Sequence, residues 1–275
     1  MHQVLLTVGA WEVRSYAVLL GLAVAVGEVV FWRTARRAGF RGADLLLFCA
    51  GAVVLGLLGA RLNAWLFQLG GRFAWPNLNL ASLRGGLISF GGILGALGLG
   101  ALVARRQGLN VWAFLDLAAP VIPLAEGIQR WGCLLNGCCW GRPTEGFLGV
   151  YLPDSAGRWG TRYPTQVITS LFCLALAAWL WRRRRRRSFA GELILSYLAV
   201  YHVGRIAIDT LRGDQRAVAG FLSAHQLAAA AIAALALAAL VYRGERSYTR
   251  EATAHVSGNR LSTRRGRRCG DRPAR

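Results

Sequence analysis

The sequence predicts an all-α polytopic membrane protein with seven transmembrane helices, the N-terminus outside and the C-terminus in the cytoplasm. Two observations support this prediction. Hydrophobic residues make up 55% of the 275 positions, and they form long apolar runs that a soluble domain of this length would not normally contain. Clusters of arginine follow the first, third, fifth and seventh apolar runs. All 33 basic residues are arginine, because the chain has no lysine.

The apolar runs divide the chain into seven predicted spans. They are residues 16–32, 45–67, 86–104, 111–125, 165–181, 191–208 and 221–242. A short amphipathic lead, residues 1–15, precedes them and is suited to the bilayer interface. The lead lacks a charged start followed by an apolar core, so no cleavable signal peptide is expected. The fourth run contains Asp116, Pro120 and Pro123, so we expect a broken or tilted helix there.

The arginine clusters determine the predicted orientation. They lie at residues 33–41, 105–106, 182–187 and 243–275, after the odd-numbered spans. The positive-inside rule makes these the cytoplasmic ends. Residues 1–242 are then a membrane-embedded domain with a polar outer-face insert at 126–165, and residues 243–275 are a disordered basic cytoplasmic tail. The same rule accounts for the net charge of +20, so nucleic acid is not expected as a partner.

Residues 126–144 differ from every other long stretch, because they are neither an apolar run nor a charged tail. Their nineteen positions include two Arg, one Glu, one Asn, three Cys, two Trp and four Gly. Glycines allow close approach of backbone to backbone or to a ligand. Polar residues beside a membrane span are candidates for function, so the remaining sequence is interpreted as the scaffold of this stretch.

Several arginines lie near the predicted outer ends of their spans and so share one membrane depth. They are Arg61, Arg130, Arg205 and Arg212. Such a convergence suits an anion, and a phospholipid phosphate is the anion at that depth. Tyr201 and Asp209 lie four residues to either side of Arg205, on one helix face. The alternative is that the arginines reach to the interface and that Arg205 forms an intrahelical pair with Asp209.

Three cysteines, Cys133, Cys138 and Cys139, are clustered in the same stretch. Zinc is one interpretation, although the insert has no histidine and the usual C-x2-C pairs are missing. A disulfide is another, because the insert faces the oxidising side. A nucleophilic thiol would need a base or a cation nearby, and Arg130 is the nearest cation. We expect these cysteines to be structural, and we expect His202 to be hydrogen-bonded rather than a base.

The motifs of this chain, taken together, resemble one family. Gly127-Ile-Gln-Arg130-Trp-Gly132 resembles a Gly-x-x-Arg-x-Gly motif, and Asn136-Gly137 and Trp140-Gly141 follow at matching positions. Further matches are Ser15-Tyr16, Gly59-Ala60-Arg61, Gly85-Gly86 with Ser89-Phe90-Gly91-Gly92, Pro164-Thr165-Gln166, and Tyr201-x-x-x-Arg205 with Asp209 and Arg212. Over residues 10–242 the chain is similar to the prolipoprotein diacylglyceryl transferases, membrane enzymes that lipidate bacterial lipoprotein precursors.

The chain departs from the family pattern at four positions. Phe90 stands where the family usually has a histidine that is a proposed base for the substrate thiol. Cys133 replaces an asparagine, Cys138 replaces a glutamate, and Tyr163 replaces a second histidine. The alternative to the family activity is therefore a non-catalytic or altered-substrate paralogue that binds phospholipid in the membrane.

The resemblance implies a reaction and a location. The diacylglyceryl group of phosphatidylglycerol would pass to the lipobox cysteine thiol of a prolipoprotein, forming a thioether, and glycerol phosphate would leave. The protein would be a multi-pass protein of the bacterial cytoplasmic (inner) membrane, and no metal or organic cofactor is implied. The resemblance implies Arg130 and Arg205 as catalytic residues that stabilise charge on the leaving group. It implies as substrate-binding residues Tyr16, Arg61, Gly91, Gly92, Asn136, Tyr201, Asp209 and Arg212.

Overall fold

A computed structural model describes residues 3–8, 11–68, 98–154, 156–214, 217–219 and 222–268. Most of these residues are helical. The helices are α1 Ser15–Arg37, α2 Gly42–Gln68, α3 at residues 98–106, α4 Val111–Ala118, α5 Val121–Asn136, α6 Thr165–Arg183, α7 Glu192–Asp209 and α8 Ala224–Arg268. The strands form three antiparallel two-stranded sheets: β1 Val4–Val8 with β2 Trp11–Arg14, β3 Val150–Pro153 with β4 Trp159–Arg162, and β5 Ala217–Ala219 with β6 Leu222–Ser223.

Within the described residues, four helical stretches are long and apolar enough to cross a membrane. They are Ser15–Arg37, Val111–Asn136, Thr165–Arg186 and His225–Ser247, and the shorter Gly42–Gly56 is also apolar. These support an α-helical membrane protein. They coincide with the predicted spans at 16–32, 111–125, 165–181 and 221–242.

The other three predicted spans are not among these four helical stretches. Residues 45–67 lie on α2, whose apolar part is short. Residues 86–104 lie mostly outside the described part of the chain. Residues 191–208 coincide with α7, an 18-residue helix that carries Glu192, Arg205 and Asp209. The count of seven spans and the orientation of the termini therefore stay predictions.

The polar insert begins later than the sequence predicts. The fourth span is broken at residues 119–120, as its prolines predict, but α5 then continues through residues 126–136. Pro120 and Pro123 lie at the start of α5, where a missing backbone N–H costs little. The helix ends at Gly137, which adopts a left-handed conformation with φ 72°. Arg130 therefore lies on a helix rather than in an irregular insert.

The two ends of the chain have structure that composition does not reveal. The amphipathic lead forms the β1–β2 hairpin, and its place at the bilayer interface stays a prediction. At the other end, residues 243–268 continue α8 where the composition predicts disorder. The Arg243 guanidinium lies 4.3 Å from the centre of the Trp112 ring and donates to the Ala190 carbonyl at 2.9 Å. These contacts tie α8 to α4 and to the residues just before α7.

Small residues bring α1, α5 and α6 close together. A Cβ on Gly27 of α1 would lie 3.4 Å from Cβ of Ala125. On α6, the Ser170 hydroxyl donates to the Gly127 carbonyl of α5 at 2.8 Å. Close helix packing through small residues is typical of membrane interiors. This packing places α5 between α1 and α6, and residues 126–136 form the C-terminal part of α5.

Asp116 fixes the beginning of α7. Its carboxylate is fully buried and accepts hydrogen bonds from the backbone N–H groups of Gly191 (2.8 Å), Leu193 (3.0 Å) and Ile194 (3.1 Å). Arg187 adds an ion pair at 3.2 Å. The first N–H groups of a helix lack partners within the helix, so a carboxylate from α4 supplies the acceptors that α7 needs.

Candidate active site

Glu126 lies at the centre of a cluster formed by α5 and α7. It is one helical turn before Arg130, and the two side chains form an ion pair. The Tyr201 hydroxyl of α7 donates to the same Glu126 oxygen, Oε1, at 2.9 Å. The carboxylate also interacts electrostatically with Arg205. Glu126 therefore pairs with Arg130 of its own helix, contacts Tyr201 of α7, and lies within the electrostatic influence of Arg205.

A second acidic residue, Asp209, continues the cluster along α7. Arg205 Nη2 lies 3.2 Å from Asp209 Oδ1, and Arg212 Nη1 lies 3.6 Å from the same atom. Asp209 is fully buried at its side chain, whereas Arg212 also pairs with the more exposed Asp214 at 2.8 Å. The pairing of Arg205 with Asp209 is the intrahelical pair that the sequence offers as the alternative to anion binding, and the anion site itself stays a prediction. Buried charges of this kind need partners, because an isolated ion in an apolar environment is costly.

Two buried guanidinium nitrogens in this cluster have unused hydrogen-bonding capacity. Among the described residues, neither Arg130 Nε nor Arg205 Nη1 has a hydrogen-bond partner. The side chains of Arg130 and Arg205 are only 12% and 16% exposed. Buried donors are normally satisfied, so this arrangement suits an anion that would supply acceptors to both helices.

The three cysteines converge beside Arg130. Their Sγ atoms all lie within 4.8 Å of one another, and the structure describes all three as free thiols. Arg130 Nη1 lies 3.8 Å from Cys139 Sγ, and Gln129 Nε2 donates to Cys133 Sγ at 3.2 Å. Hydrogen bonds from the neighbouring thiols lower the pKa of Cys139, and the positive charges of Arg212 and Arg130 act in the same direction.

The turn that carries Cys138 and Cys139 is held by the start of α6. Thr165 Oγ1 donates to the Cys139 carbonyl at 2.7 Å, and Gln166 Nε2 donates to the Cys138 carbonyl at 2.8 Å. Cys139 has φ 59°, in the left-handed region that non-glycine residues rarely occupy. The α5–α6 connection therefore begins with a fixed turn.

The rest of this connection is tied to the end of α7. Arg142 N donates to the Leu211 carbonyl at 2.8 Å, and Gly213 N donates to the Trp140 carbonyl at 3.0 Å. A β-carbon on Gly213 would collide with the Trp140 ring, so glycine permits this approach. These contacts place Arg212 beside the cysteine turn.

Asp154 organises the β3–β4 hairpin of the insert. Its carboxylate accepts from the backbone of Ala156 at 2.9 Å and of Arg158 at 3.0 Å, and it pairs with the Arg158 and Arg162 guanidinium groups. The Arg158 backbone N–H and these further donors hold the pKa of Asp154 below its ordinary value. The Arg162 guanidinium also lies 4.7 Å from the centre of the Trp140 ring, which connects the hairpin to the site.

Tyr16 and Asn136 lie on the cysteine side of the cluster. Tyr16 of α1 faces Gln129 and interacts electrostatically with the three thiols. The Asn136 side chain contacts Cys138, and its backbone carbonyl accepts from Gln3 Nε2 at 3.1 Å. His202 has Nδ1 2.7 Å from the Leu198 carbonyl, in agreement with the hydrogen-bonded role expected for it.

The structure thus brings most of the predicted site residues into one region. Around Arg130 it gathers Tyr201, Arg205, Asp209 and Arg212, with Tyr16 and Asn136 adjoining. The Arg61 side chain, Gly91 and Gly92 lie outside the described part of the structure, as does Phe90.

Sequence reasoning missed Glu126 and Gln129 as site residues. The signal for Glu126 was its position four residues before Arg130 on a helix. This spacing has meaning only on a helix, and the sequence predicts that residues 126–136 belong to the polar insert, whereas the structure places them on α5.

Comparison with known proteins places the chain in a family. The family model for prolipoprotein diacylglyceryl transferases matches residues 3–242. A phosphatidylglycerol–prolipoprotein diacylglyceryl transferase of Geobacillus kaustophilus is 34% identical, over 91% of this chain and 95% of its own length. The Shouchella clausii protein of the same name is 33% identical, over 88% of this chain and 90% of its own. A Clostridium perfringens relative, numbered 2, is 31% identical over 78% of this chain and 85% of its own.

The match covers both helices that contribute the paired arginines, the cysteine turn between α5 and α6, and the hairpin of the insert. It extends over all four helical stretches suited to a membrane, ending within the last of them. The chain belongs to the prolipoprotein diacylglyceryl transferase family.

Proposed function

We propose that this protein transfers the diacylglyceryl group of phosphatidylglycerol to the lipobox cysteine thiol of a prolipoprotein in the bacterial inner membrane. The main observation behind this proposal is that Arg130 and Arg205, which both act on the Glu126 carboxylate, each keep a buried nitrogen without a hydrogen-bond partner among the described residues. A lipid phosphodiester has the charge and the acceptor oxygens that these nitrogens lack. Family membership and the relatives' names agree with this choice of substrate.

In this mechanism the phosphate lies between the two guanidinium groups. The acceptor thiol gives its proton to solvent, and its sulfur attacks the diacylglyceryl carbon that bears the phosphate. The C–O bond breaks with its electron pair going to the phosphate oxygen, and glycerol phosphate leaves. Negative charge therefore grows on glycerol phosphate in the transition state, where Arg130 and Arg205 stabilise it. Tyr16, Tyr201 and Asn136 orient the head group and the loop around it. Asp209 holds Arg205 in position, and Arg212 supports Asp209 from the other side.

The test is transfer from labelled phosphatidylglycerol to a lipobox peptide by the purified protein. Arg130→Ala and Arg205→Ala should each lower the rate by about a hundredfold, because each removes one charged contact to the transition state. Arg205→Lys should also impair transfer, since lysine keeps the charge but loses the planar fork. Arg106→Ala changes an exposed arginine at the last residue of α3 and should keep the parent rate. Near-parent rates in both alanine variants would defeat the assignment.

A further inference from the structure

Cys133, Cys138 and Cys139, the cysteine trio, are positioned as a preorganised set of metal ligands. Cys133 is in the last turn of α5 and is only 3% exposed, whereas Cys138 and Cys139 lie in the turn that follows. All three Sγ atoms nevertheless lie within 4.8 Å of one another. The carbonyls of Cys138 and Cys139 are held by Gln166 and Thr165, so the turn is fixed by the protein itself.

We propose that Cys133, Cys138 and Cys139 bind one Zn²⁺ ion whose fourth position accepts the substrate thiol. Zinc takes cysteine sulfurs at about 2.3 Å in tetrahedral geometry, which separates two sulfurs by roughly 3.8 Å. The three sulfurs therefore need to approach by at most about 1 Å. Three protein ligands with one open position are typical of catalytic zinc rather than structural zinc. This proposal rests on the proposed transferase function and replaces a purely structural role for the cysteines.

The charges around the trio fit such a centre. A divalent cation with three thiolates carries one net negative charge, and a fourth thiolate makes this two. Arg130 lies 3.8 Å from Cys139 Sγ, and Arg212 interacts electrostatically with the same thiol. Gln129 Nε2 donates to Cys133 Sγ at 3.2 Å. Hydrogen bonds of this kind from outside the ligand set orient metal ligands and strengthen binding.

The site lies where the acceptor sulfur has to be activated. A thiol coordinated at the open position loses its proton to solvent and is held as a thiolate. Its electron pair forms the S–C bond to the glycerol carbon, and the C–O electron pair leaves with glycerol phosphate beside Arg130. No group is oxidised or reduced in this step. The thioether product is neutral and binds zinc more weakly than a thiolate, so its release frees the fourth position.

Cobalt binding tests the ligand set directly. The reduced, chelator-treated full chain is titrated in detergent with Co²⁺, whose d–d and thiolate charge-transfer absorption bands report tetrahedral thiolate coordination. We expect one Co²⁺ per chain, displaced by Zn²⁺. Cys138→Ser should weaken binding by about tenfold or more, and Gln129→Ala by about tenfold, as for loss of an outer hydrogen bond. Cys49→Ser removes a cysteine of α2 outside the trio and should bind as the parent does.

A second measurement tests the open position. Adding a lipobox peptide should change the cobalt bands, whereas the same peptide with serine in place of its cysteine should not. The proposal is overturned if the reduced protein binds no Co²⁺, if Cys138→Ser binds it equally, or if the trio forms a disulfide during anaerobic purification.

The activity assay separates this proposal from the proposed function. Transfer at the parent rate after complete metal removal would overturn zinc as the group that accepts the substrate thiol and leave the transferase function standing. A metal-loaded protein that coordinates the peptide thiol but transfers nothing would refute the transferase function and leave the zinc site standing.

Discussion

At the scale of single residues, Glu126 connects the two helices that carry Arg130 and Arg205. Its carboxylate pairs with Arg130, accepts from Tyr201 and interacts with Arg205, so it links α5 to α7. A carboxylate there competes with the lipid phosphate for the same guanidinium groups. The negative charge of Glu126 also balances the two guanidinium charges before the lipid binds, because two buried cations without an anion would repel each other. We interpret Glu126 as a positioning residue that the phosphate displaces from Arg130.

Glu126→Gln tests this interpretation. Breaking a buried ion pair by removing one partner costs about 3 kcal/mol or more, so the lipid-free variant should unfold at a lower temperature than the parent. Phosphatidylglycerol should recover most of the lost stability, because its phosphate replaces the missing negative charge. Thermal unfolding in detergent, with and without the lipid, measures both effects.

Glu28→Gln is the control, since Glu28 is a half-buried glutamate on α1 outside the cluster. An equal effect of phosphatidylglycerol on the parent and on Glu126→Gln would contradict the displacement of Glu126 by phosphate.

Residue types and their spacing allowed part of this site to be predicted. The Tyr201, Arg205 and Asp209 spacing places three polar side chains on one helix face, and the ion pair between the last two follows from it. The convergence of Cys138 and Cys139 with Cys133 could not be predicted in the same way. It depends on a left-handed backbone at Cys139 and on hydrogen bonds from Thr165 and Gln166, which come from another helix.

At the scale of elements, the β3–β4 hairpin depends on one carboxylate. Asp154 is buried and accepts from the backbone and side chain of Arg158 and from Arg162. Because these donors lower the pKa of Asp154 in the folded protein, its contribution to stability is present above its unfolded pKa of about 3.9 and is lost as the pH falls through the lower folded value. The hairpin should therefore loosen in strong acid.

Hydrogen exchange over residues 150–162 measures this dependence. At neutral pH, Asp154→Asn should lower the protection factors of the hairpin, because an amide cannot form the ion pairs with Arg158 and Arg162. As the pH falls below the unfolded pKa of aspartate and through the lower folded value, the parent should lose protection and approach the variant. Glu145→Gln, an exposed change in the same connection, should behave as the parent does. A hairpin with the same protection in parent and Asp154→Asn at neutral pH would contradict the role of Asp154.

Helix ends were predicted less well than helix positions. The predicted spans at 16–32, 111–125 and 165–181 each lie within a helical stretch that is longer at its C-terminal end. Apolar content marks the part of a helix that lipid surrounds, but α5 ends where Gly137 takes a left-handed φ. Residues 243–268 show the same limit, because the packing of Arg243 on Trp112 is not visible in the composition of the tail.

At the scale of the whole molecule, orientation decides which side the acceptor peptide approaches from. The arginines at 182–187 and the insert at 137–164 lie at opposite ends of α6. We predict that the arginine end faces the cytoplasm. Phe147→Cys, at a side chain that is 96% exposed, should then react with a membrane-impermeant thiol reagent in intact cells.

The parent chain gives the background from its own cysteines, and Arg186→Cys should react only after the inner face is exposed. The reverse pattern of labelling would invert the topology and place the cysteine turn on the cytoplasmic side.

The hydrogen bonds from Asp116 to the start of α7 also affect where side chains at the other end of that helix lie. Arg205 lies thirteen residues after Glu192, so the guanidinium and the cap are about 20 Å apart along the helix axis. Three backbone hydrogen bonds to one carboxylate fix both the height and the rotation of α7 at its first turn. A rotation of that turn by a few degrees is carried unchanged to the far end, because a helix is stiff over this length. The position of the Arg205 guanidinium thus depends on a carboxylate of α4 at the opposite end of α7.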